Sequence, residues 1–441
     1  MQTTVQRLRY VLHALAPAVG GKKATLPVLK NVVVGQGRAH ATNLETAVTV
    51  EFPEATDDPV LLPHQQVLSL LRHIPAATRL TINQEGQVIK LAAGTTNAEF
   101  PVTGEVTDFP PLPELHPIGE GQVDGDLFLK TATALAGYAA TDVSRPVLQC
   151  VCITLGDPVA MVGADGYRLA WQTVPIKLAA PDGMAQLLVP TAAVHTLASV
   201  WKRIEKQPTM DAPGISDPLK EDGSFRMARL AVAKRMATVS FDPFMMTFHH
   251  GAVTVWVHLT LGEFPDYRQL IPTDLPHKVS FDAEEALRTV RSLAEVAADA
   301  SGIVRLNWAG DSLRFSAQSA EYGSVGARVR AHIQGEEARI AFNIRYLTEC
   351  LQGKVGPVLL ETSTPSSPGR FFHAGSPDVL IMPMFVSDPA ATTTEPAADQ
   401  QAPADEDAPE AQATADDAGA PAPEPAPAAA KPRARARRAK S

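Results

Sequence analysis

Few residues of this sequence have the types and spacing that an active site or a metal centre requires. Cys150 and Cys152 are one residue apart in the apolar segment LQCVCITL, so their thiols would face one side of a strand. No second cluster of Cys or His lies nearby to complete a metal site. His249, His250 and His258 surround a predicted hairpin, without a carboxylate at ligand spacing. We interpret both groups as structural and expect no metal.

Motifs for catalysis or for nucleotide binding are also missing. The GQG at 35–37 lacks the lysine and the glycine spacing of a phosphate-binding loop. No serine lies in a nucleophile elbow, and no pair of carboxylates stands out. The sequence therefore favours a binding or scaffold protein over an enzyme, with no cofactor.

The segment GADGYRLAWQ, residues 163–172, contains the most unusual combination of side chains. Asp165 and Gly166 predict a tight turn between two apolar strands, because glycine reaches positive φ without steric cost. A turn alone does not require Tyr167 and Arg168 side by side, followed by Leu169. The segment could form the rim of a binding pocket, or a catalytic loop that uses Asp165 and Arg168.

Several basic residues occur at helical spacing and could face one ligand. Arg288 and Arg291 are three residues apart, and Lys202 and Lys206 are four apart, so each pair shares a helix face. Each residue could simply be solvated, but converging basic faces would form a surface that follows phosphates. Few aromatic residues are interleaved with them, which disfavours a platform for stacking single-stranded bases. The further basic candidates are Lys22, Lys23, Arg72 and Arg345.

Composition places the chain among soluble globular proteins. Its 441 residues are 45% hydrophobic and 20% charged, with a net charge of −9, and allow two or three domains. No apolar run approaches the roughly 20 residues of a membrane span, so we expect no membrane association. Three cysteines are too few for a disulfide framework and indicate a reducing cytoplasm. The N-terminal MQTTVQRLRYVLHAL is predicted to be the first helix and not a signal peptide.

The composition changes sharply at Pro389. Residues 389–441 contain nine prolines and no Leu, Ile, Val, Phe, Tyr, Trp or Met, which predicts a disordered tail. Acidic residues extend to Glu424, and the basic run KPRARARRAKS follows. This basic end could contact DNA phosphates, or could only keep the chain soluble.

A pattern of helix, short strands, second helix and further strands recurs three times before the tail. The helices open near Val5 and Leu61, near Asp126 and Leu187, and near Asp282 and Arg339. Each repeat has two helices and about eight short strands, which indicates an α+β fold of three repeated domains. The predicted boundaries are 1–119, 120–272 with an insertion at about 207–236, and 273–388, with the tail at 389–441.

Seven short motifs follow one another along the chain. They are KKATLPVLKNVVV, DFPPLPE, TDVSRPVL, GADGYRLA, GEFPDYRQLIP, FNIRYL and LIMPMF. In this order they resemble the bacterial DNA polymerase III beta-type sliding clamp, a processivity clamp, across residues 1–388. The resemblance implies three DNA-clamp domains per chain. It also implies a homodimer in which two chains join head to tail into a ring, with helices lining the hole.

The resemblance also implies the function. The ring would encircle double-stranded DNA independently of sequence and tether the replicative polymerase for processive DNA synthesis. Its partners would be the DNA polymerase III catalytic subunit, the clamp loader, and repair and translesion polymerases, each through a short linear peptide. It would act in the bacterial cytoplasm at the nucleoid. The alternative is a clamp-like regulatory protein that sequesters polymerase peptides without closing into a ring.

The site residues are carried over from the same motifs. The basic residues named above would face DNA, and Phe100, Val102 and Val296 would lie at the dimer interface. Ala164, Tyr167, Gln269 and Phe385 depart from the residues usual in the family and would make the pocket less basic. The hydrophobic peptide-binding pocket between domains 2 and 3 would comprise Leu148, Gly166, Tyr167, Arg168, Leu169, Pro265, Leu270, Asn343, Tyr346, Leu380, Met382, Pro383 and Met384.

Overall fold

The computed structural model describes residues 1–386 apart from 22, 23, 25, 103, 180, 182, 206–235 and 300. Met1–Val386 forms one compact unit. The predicted tail, nearly all of the predicted insertion and three of the predicted DNA-facing residues, Lys22, Lys23 and Lys206, lie outside the described residues.

The first third of the chain contains two helices and eight strands. Helix α1 begins where the Thr4 side chain accepts a hydrogen bond from the Arg7 amide, and it buries Val5, Leu8, Leu12 and Leu15 at helical spacing. The elements are β1 Gln2–Thr4, α1 Val5–Leu15, β2 Asn31–Gly35, β3 Arg38–Thr42, β4 Thr46–Glu51, β5 Val60–Pro63, α2 His64–Leu71, β6 Arg79–Glu85, β7 Val88–Ala93 and β8 Thr96–Pro101.

The second third follows the same order. Asp124 caps its first helix by accepting a hydrogen bond from the Leu127 amide. The elements are β9 Gly119–Asp124, α3 Gly125–Ala136, β10 Cys150–Thr154, β11 Val159–Ala164, β12 Arg168–Val174, β13 Gln186–Pro190, α4 Thr191–Glu205, β14 Met236–Phe241, β15 Met245–His250 and β16 Val253–His258.

The last third repeats the order with one difference, because its first helix is divided in two at Leu293. Asp282 caps the first half and Asn343 caps the last helix. The elements are β17 His277–Asp282, α5 Ala283–Ser292, α6 Ala294–Asp299, β18 Ile303–Ala309, β19 Ser312–Ser319, β20 Gly323–Gln334, β21 Ala338–Asn343, α7 Ile344–Leu351, β22 Pro357–Thr362, β23 Gly369–Phe372 and β24 Asp378–Ile381.

Short 3₁₀ helices connect these elements. Two of them carry residues of the predicted pocket, Leu148 and Leu270. They span Ala16–Ala18, Pro27–Lys30, Val106–Asp108, Pro146–Gln149 and Tyr267–Leu270.

Antiparallel pairing joins the strands into three sheets. Their orders are β1-β6-β7-β8, β5-β2-β3-β4-β16-β15-β14-β9 and β13-β10-β11-β12-β24-β23-β22-β17-β20-β19-β18-β21. The eighth strand of the second repeat, β16, therefore pairs with the fourth strand of the first, β4. In the same way β24 pairs with β12, so two of the sheets run continuously from one repeat into the next.

The helices pack on one another across the first two repeats. Helix α1 contacts α2 within its own repeat and α4 of the next, and α4 contacts α3. In the third repeat α5 contacts α7. Apolar side chains of these helices and of the sheets share one large core.

The predicted α+β fold is confirmed, and each predicted helix is present within a few residues of its expected position. The break at Leu293 was not expected from the continuous apolar pattern of that segment. The domain boundaries themselves stay a prediction, because the described residues pack as a single unit.

Gly163 provides a test of how closely helix and sheet approach each other. A Cβ at this position in β11 would lie 2.2 Å from the Leu135 carbonyl oxygen of α3. We expect Gly163→Ala to lower the free energy of unfolding by roughly 1–3 kcal/mol, because the helix must move away from the sheet. Urea denaturation followed by circular dichroism measures this loss.

Gly137→Ala is the matched control. Its Cβ would meet only the Ala134 carbonyl oxygen, at 3.5 Å, in a helical conformation that alanine accepts readily. Equal stabilities for the two variants would contradict the close approach at Gly163.

Candidate functional site

The turn between β11 and β12 is built by the Asp165 side chain. Its Oδ1 accepts hydrogen bonds from the amides of Tyr167 at 2.9 Å and Arg168 at 3.0 Å. Gly166 between them has φ +93, a conformation that favours glycine. The predicted hairpin turn is confirmed, and it holds the Tyr167 ring 61% exposed.

Arg168 points the other way and is only 5% exposed. Its Nε donates to Asp165 Oδ2 at 3.1 Å, and its Nη2 donates to the carbonyl oxygen of Gly137, after helix α3, at 3.0 Å. Its Nη1 donates to Glu349 of helix α7. One buried guanidinium therefore joins the turn, the second repeat and the third repeat.

Two tyrosine rings enclose the same guanidinium. Its carbon lies 5.0 Å from the ring centre of Tyr138 and 4.8 Å from that of Tyr346, within the range of cation–π attraction. Burial raises the pKa of Tyr138, and burial with the nearby Asp165 charge raises the pKa of Tyr346. Both phenols therefore stay neutral and protonated at physiological pH.

Glu349 is held as a carboxylate by the arginines on either side. Burial alone would raise its pKa, but hydrogen bonds from Arg345 and Arg168 outweigh burial and lower it. Arg345 Nε reaches Glu349 Oε1 at 3.0 Å from the solvent side, with 69% of its side chain exposed.

A small apolar cluster lies on the opposite face of β12. Leu169 and Leu380 face each other across the β12–β24 pair, and both are buried, at 3% and 2% exposure. Leu148 from one 3₁₀ helix and Tyr267 from another cover them, together with Phe264. Because β12 is a strand, Arg168 and Leu169 point to opposite faces.

Beyond β24 the chain first contacts the second repeat and then returns to its own, the third. The Met382 amide donates to the Tyr167 carbonyl oxygen at 2.9 Å, and the Met384 amide donates to the Ala341 carbonyl oxygen at 2.8 Å. Phe385 follows with 87% of its surface exposed.

These elements enclose a cavity of about 100 Å³. Nine of the thirteen residues predicted for a peptide pocket line it, and three further residues complete the wall: Ala164, Phe264 and Tyr267. Each of these three is within three positions of a predicted pocket residue, so the motifs indicated the segments but not every side chain. The lining is Leu148, Ala164, Gly166, Tyr167, Arg168, Leu169, Phe264, Pro265, Tyr267, Leu270, Leu380 and Met382.

Four predicted pocket residues do not line this cavity: Asn343, Tyr346, Pro383 and Met384. Asn343 caps helix α7 by accepting a hydrogen bond from the Arg345 amide at 2.9 Å. Tyr346 stacks on Tyr167, with ring centres 6.4 Å apart. Arg168 directs three of the five N–H groups of its guanidinium to Asp165, Glu349 and Gly137 within the chain.

The residues that depart from the family pattern have defined roles. Tyr167 stacks on Tyr346 at the rim, and Ala164 lines the cavity. Gln269 donates to Asp266 Oδ2 at 2.9 Å, beside Leu270.

The described basic residues predicted to face DNA are all exposed, namely Arg72, Lys202, Arg288, Arg291 and Arg345. Among these five described residues, Arg345 forms an ion pair with a carboxylate, that of Glu349. Its position beside the buried guanidinium indicates a structural role at this junction.

The predicted dimer-interface residues differ in burial. Phe100 on β8 is partly buried, whereas Val102 and Val296 are only 5% and 8% exposed within one chain. Their side chains pack into the chain's own core, which leaves little of their surface for a partner, and the dimer interface itself stays a prediction.

The thiols and histidines form no metal site among the described residues. Cys150 and Cys152 lie in the apolar cluster beneath the cavity. Burial raises the pKa of both, to about 12 for Cys152, so both remain thiols. Within the described part of the chain, no helix is long and apolar enough to cross a membrane.

The network around Arg168 gives a prediction about stability. We expect Arg168→Met to lower the free energy of unfolding by roughly 2–3 kcal/mol at neutral pH, because Asp165 and Glu349 lose a buried partner. Arg345→Met, which removes an exposed partner of the same Glu349, should change it by no more than about 0.5 kcal/mol. Urea denaturation of both variants gives the comparison.

The network around Arg168 also predicts how the free energy of unfolding changes with pH. Because the folded pKa of Glu349 lies below its unfolded value, its contribution is present above about pH 4.5 and is lost as the pH falls through the folded pKa. Arg168→Met should therefore flatten the acid limb of the stability curve. An unchanged acid limb would contradict the network.

Comparison with known proteins agrees with the motifs. The family described as "DNA polymerase III beta subunit, C-terminal domain" matches residues 268–369. The beta sliding clamp of Caulobacter vibrioides is 22% identical over 399 residues, covering 87% of this chain and 96% of that protein. The beta sliding clamp of Streptomyces coelicolor is 26% identical, covering 77% and 85%.

The fold is similar to that of a crystallised relative. The DNA polymerase sliding clamp from Pseudomonas aeruginosa, solved with a ligand, superposes with a TM-score of 0.74 at 20% identity, covering 88% of this chain and 99% of that one. The resemblance of this chain to the bacterial DNA polymerase III beta-type sliding clamps, expected from its motifs, is thereby confirmed.

Proposed function

We propose that this protein is a sliding clamp that closes around duplex DNA as a head-to-tail homodimer and tethers a DNA polymerase for processive synthesis. The observation that carries the proposal is a pair of unfilled sheet edges. Among the described strands, β8 ends the four-stranded sheet with one side unpaired. Residues 323–330 of β20 pair with β19 alone, since β17 pairs only with 331–334.

The sheets of neighbouring repeats join at two junctions inside the chain, β4 with β16 and β12 with β24. These two junctions predict how the remaining edges pair. Val48 of a fourth strand faces Val255 of an eighth strand at the first junction, and Ala170 faces Val379 at the second. The remaining eighth strand is β8 and the remaining fourth strand is β20. They cannot meet within the described chain without abandoning its sheet order, but β8 of one copy can meet β20 of another.

The register of the repeats identifies the partners in that third junction. Ala98 occupies in β8 the position that Val255 occupies in β16, because both are the third residue after the hairpin turn. Val325 lies on the same face of β20 as the buried Val329, as the buried Val48 does on β4; Val325 is the second residue after pairing with β19 begins at Gly323, and Val48 is the first after pairing with β3 begins at Ala47. Ala98 of one copy should therefore face Val325 of the other.

A closed ring explains how a protein that does not read the DNA sequence can still remain on DNA for a long time. Contacts to phosphates alone are weak and mobile, and a closed ring retains DNA by topology. The protein would need no catalytic group and no cofactor, and would act where the chromosome lies, in the cytoplasm at the nucleoid. A clamp loader would open the ring.

A cysteine pair tests ring closure directly. We expect Ala98→Cys/Val325→Cys to form intermolecular disulfides under mild oxidation, because facing strand residues meet the distance requirement. The native thiols are buried and should not interfere. Each single variant is the matched control and should stay monomeric on non-reducing gels.

The cross-linked ring is then assembled on nicked circular DNA with a clamp loader and ATP. It should stay bound in high salt and be lost when the DNA is cut. If no cross-link forms, or if circular and linear DNA release the protein equally, the sequestering alternative replaces the clamp.

The cavity beside β12 is the proposed docking site for the clamp's partners. Its apolar floor of Leu148, Leu169 and Leu380 can accept apolar side chains, and the exposed rim residues Tyr167 and Leu270 can contact the same peptide. We propose that it binds short linear peptides of the DNA polymerase III catalytic subunit, the clamp loader, and repair and translesion polymerases.

Tyr167→Ala tests this docking site. The ring is 61% exposed, so its removal should preserve the fold while lowering the affinity for a polymerase peptide by about tenfold, as loss of an aromatic contact does. Isothermal titration calorimetry with a peptide from the C-terminus of the polymerase measures it. Phe244→Ala removes an equally exposed aromatic ring outside the cavity and should bind normally. Equal affinities of the two variants would contradict the proposal.

A further inference from the structure

The turn between β3 and β4, at the first junction, repeats the geometry of the turn beside the cavity. Asn43 Oδ1 accepts hydrogen bonds from the two amides that follow Leu44, at 3.1 and 2.8 Å, as Asp165 Oδ1 does in the β11–β12 turn. In each turn four residues separate the last paired residues of the two strands. Leu44 therefore occupies the place that Gly166 has beside the cavity.

The chain that leaves the sheet at the first junction also follows the same course as at the second. The His258 amide, at the end of β16, donates to the β3–β4 turn at 3.2 Å, and the Thr260 amide donates to β13 at 3.0 Å. Beyond β24, the amides of Met382 and Met384 donate in the same way to the β11–β12 turn and to β21. Leu261 comes next after the first of these crossings and is 65% exposed.

Leu44 is held exposed in a backbone conformation that leucine disfavours. Its φ is +78, in the left-handed region where glycine is favoured, and the residue is 48% exposed. Glycine or asparagine would form the turn with less strain. Residues held in such conformations cluster at functional sites, so strain at an exposed apolar side chain points to binding.

Two further apolar side chains surround the end of β16 together with Leu44. The Leu259 amide donates to the Phe244 carbonyl oxygen, in the β14–β15 turn, at 2.8 Å. This turn and the β3–β4 turn lie on either side of β16, about 10 Å apart, because β4 and β15 are its two neighbours in the sheet. The side chains of Leu44, Phe244 and Leu261 are all exposed, and we call them the junction surface.

The junction surface adjoins the proposed peptide pocket. Leu261 is four residues before Pro265, which lines the cavity, so roughly 14 Å at most separates their Cα atoms. The Cys150 thiol, in the apolar cluster beneath the cavity, donates to the Thr260 hydroxyl oxygen at 3.1 Å. A polypeptide with one residue in the cavity can therefore reach the junction surface with only a few further residues.

Negative charge surrounds the junction surface. Glu45 follows Leu44, Glu263 is two residues after Leu261, and both carboxylates are exposed. Neither takes part in an ion pair between described residues. An apolar segment with lysine or arginine beside it would fit both the side chains and the charge. No lysine or arginine occurs in the three segments that carry the surface, residues 42–46, 242–246 and 258–263.

We propose that the junction surface is a second docking point for the partner whose peptide occupies the cavity. Its occupant is a segment of that same partner, with an apolar side chain flanked by lysine or arginine. The inference rests on the proposed function, because it requires a partner at the pocket. Two contacts on one partner bind more tightly together than either does alone, since the second forms at a high effective concentration.

Paired measurements on an intact partner and on its peptide test the proposal. The intact DNA polymerase III catalytic subunit, and a peptide from its C-terminus, are each titrated into the full-length protein by calorimetry. We expect Leu44→Asn/Leu261→Ser to weaken binding of the intact subunit about tenfold and to leave peptide binding unchanged. Phe244→Ala should likewise weaken only the intact subunit. Val355→Ser, which removes a side chain that is 69% exposed in the loop after α7, should leave both unchanged.

Stability supplies a readout that separates binding from packing. Asparagine accepts the left-handed conformation more readily than leucine does, so Leu44→Asn should keep or raise the midpoint of urea denaturation. A lowered midpoint would mean that the side chain is present to pack the turn, which contradicts the argument from strain.

The charge of the occupant is tested separately. Glu45→Gln/Glu263→Gln should weaken binding of the intact subunit, more at low salt than at high salt, because the partner's cations lose the carboxylates that attract them. The matched control is Glu336→Gln/Glu337→Gln, which removes two exposed carboxylates between β20 and β21. Effects of equal size in the two double variants would contradict a basic occupant.

The outcomes distinguish this inference from the proposed function. If Tyr167→Ala binds the peptide normally, the pocket is wrong and the inference falls with it. If the pocket holds but Leu44→Asn/Leu261→Ser binds the intact subunit like the unchanged protein, only the second docking point is wrong. If that variant also weakens the isolated peptide, the surface belongs to the pocket. If it changes the sedimentation of the protein alone, the occupant is a second copy. Either of these last two results overturns the inference.

Discussion

Antiparallel pairing of a fourth strand with an eighth strand is the interaction on which the rest of this structure depends. A sheet edge leaves backbone N–H and C=O groups without partners, and an unpaired edge invites association with another chain. Each internal junction solves this by completing the sheet of one repeat with the last strand of the next. Because three repeats in a line have only two internal junctions, one edge of each kind remains at the ends.

The cavity that we propose as a peptide-binding site is a by-product of the second junction. Where β24 is added to β12, the chain must leave the sheet beside the β11–β12 turn, and it does so through Met382. Because successive side chains of β12 point to opposite faces of the sheet, two adjacent residues lie in different environments. Arg168 enters the polar network with Glu349, and Leu169 enters the apolar floor of the cavity. The position of the rim is therefore set by a buried ion pair that a bound peptide need not touch.

The sequence predicted the parts of this arrangement that depend on local physics. Helical spacing in segments such as the one from Val5 located the helices, and Asp165 with Gly166 located the turn. Spacing could not show that Arg168 faces inward, because its partners Gly137 and Glu349 come from distant parts of the chain. Nor could an apolar pattern show that Val296 is buried within a single chain.

The same limit applies to the cavity between the first two repeats, which helices α1, α2 and α4 bound, because its basic lining residues come from separate segments of the chain. Arg72 was recognised as basic, but Lys30 and Arg203 meet it only because α1 packs against both α2 and α4. The net charge of −9 conceals this, since α1 and α2 contain no acidic residue while α5 and α6 contain several. The proposed ring would have to hold DNA weakly enough to move along it, and a strongly basic surface all around would oppose that. In such a ring, basic residues concentrated at one junction, with acidic residues elsewhere, would leave the retention of DNA to topology.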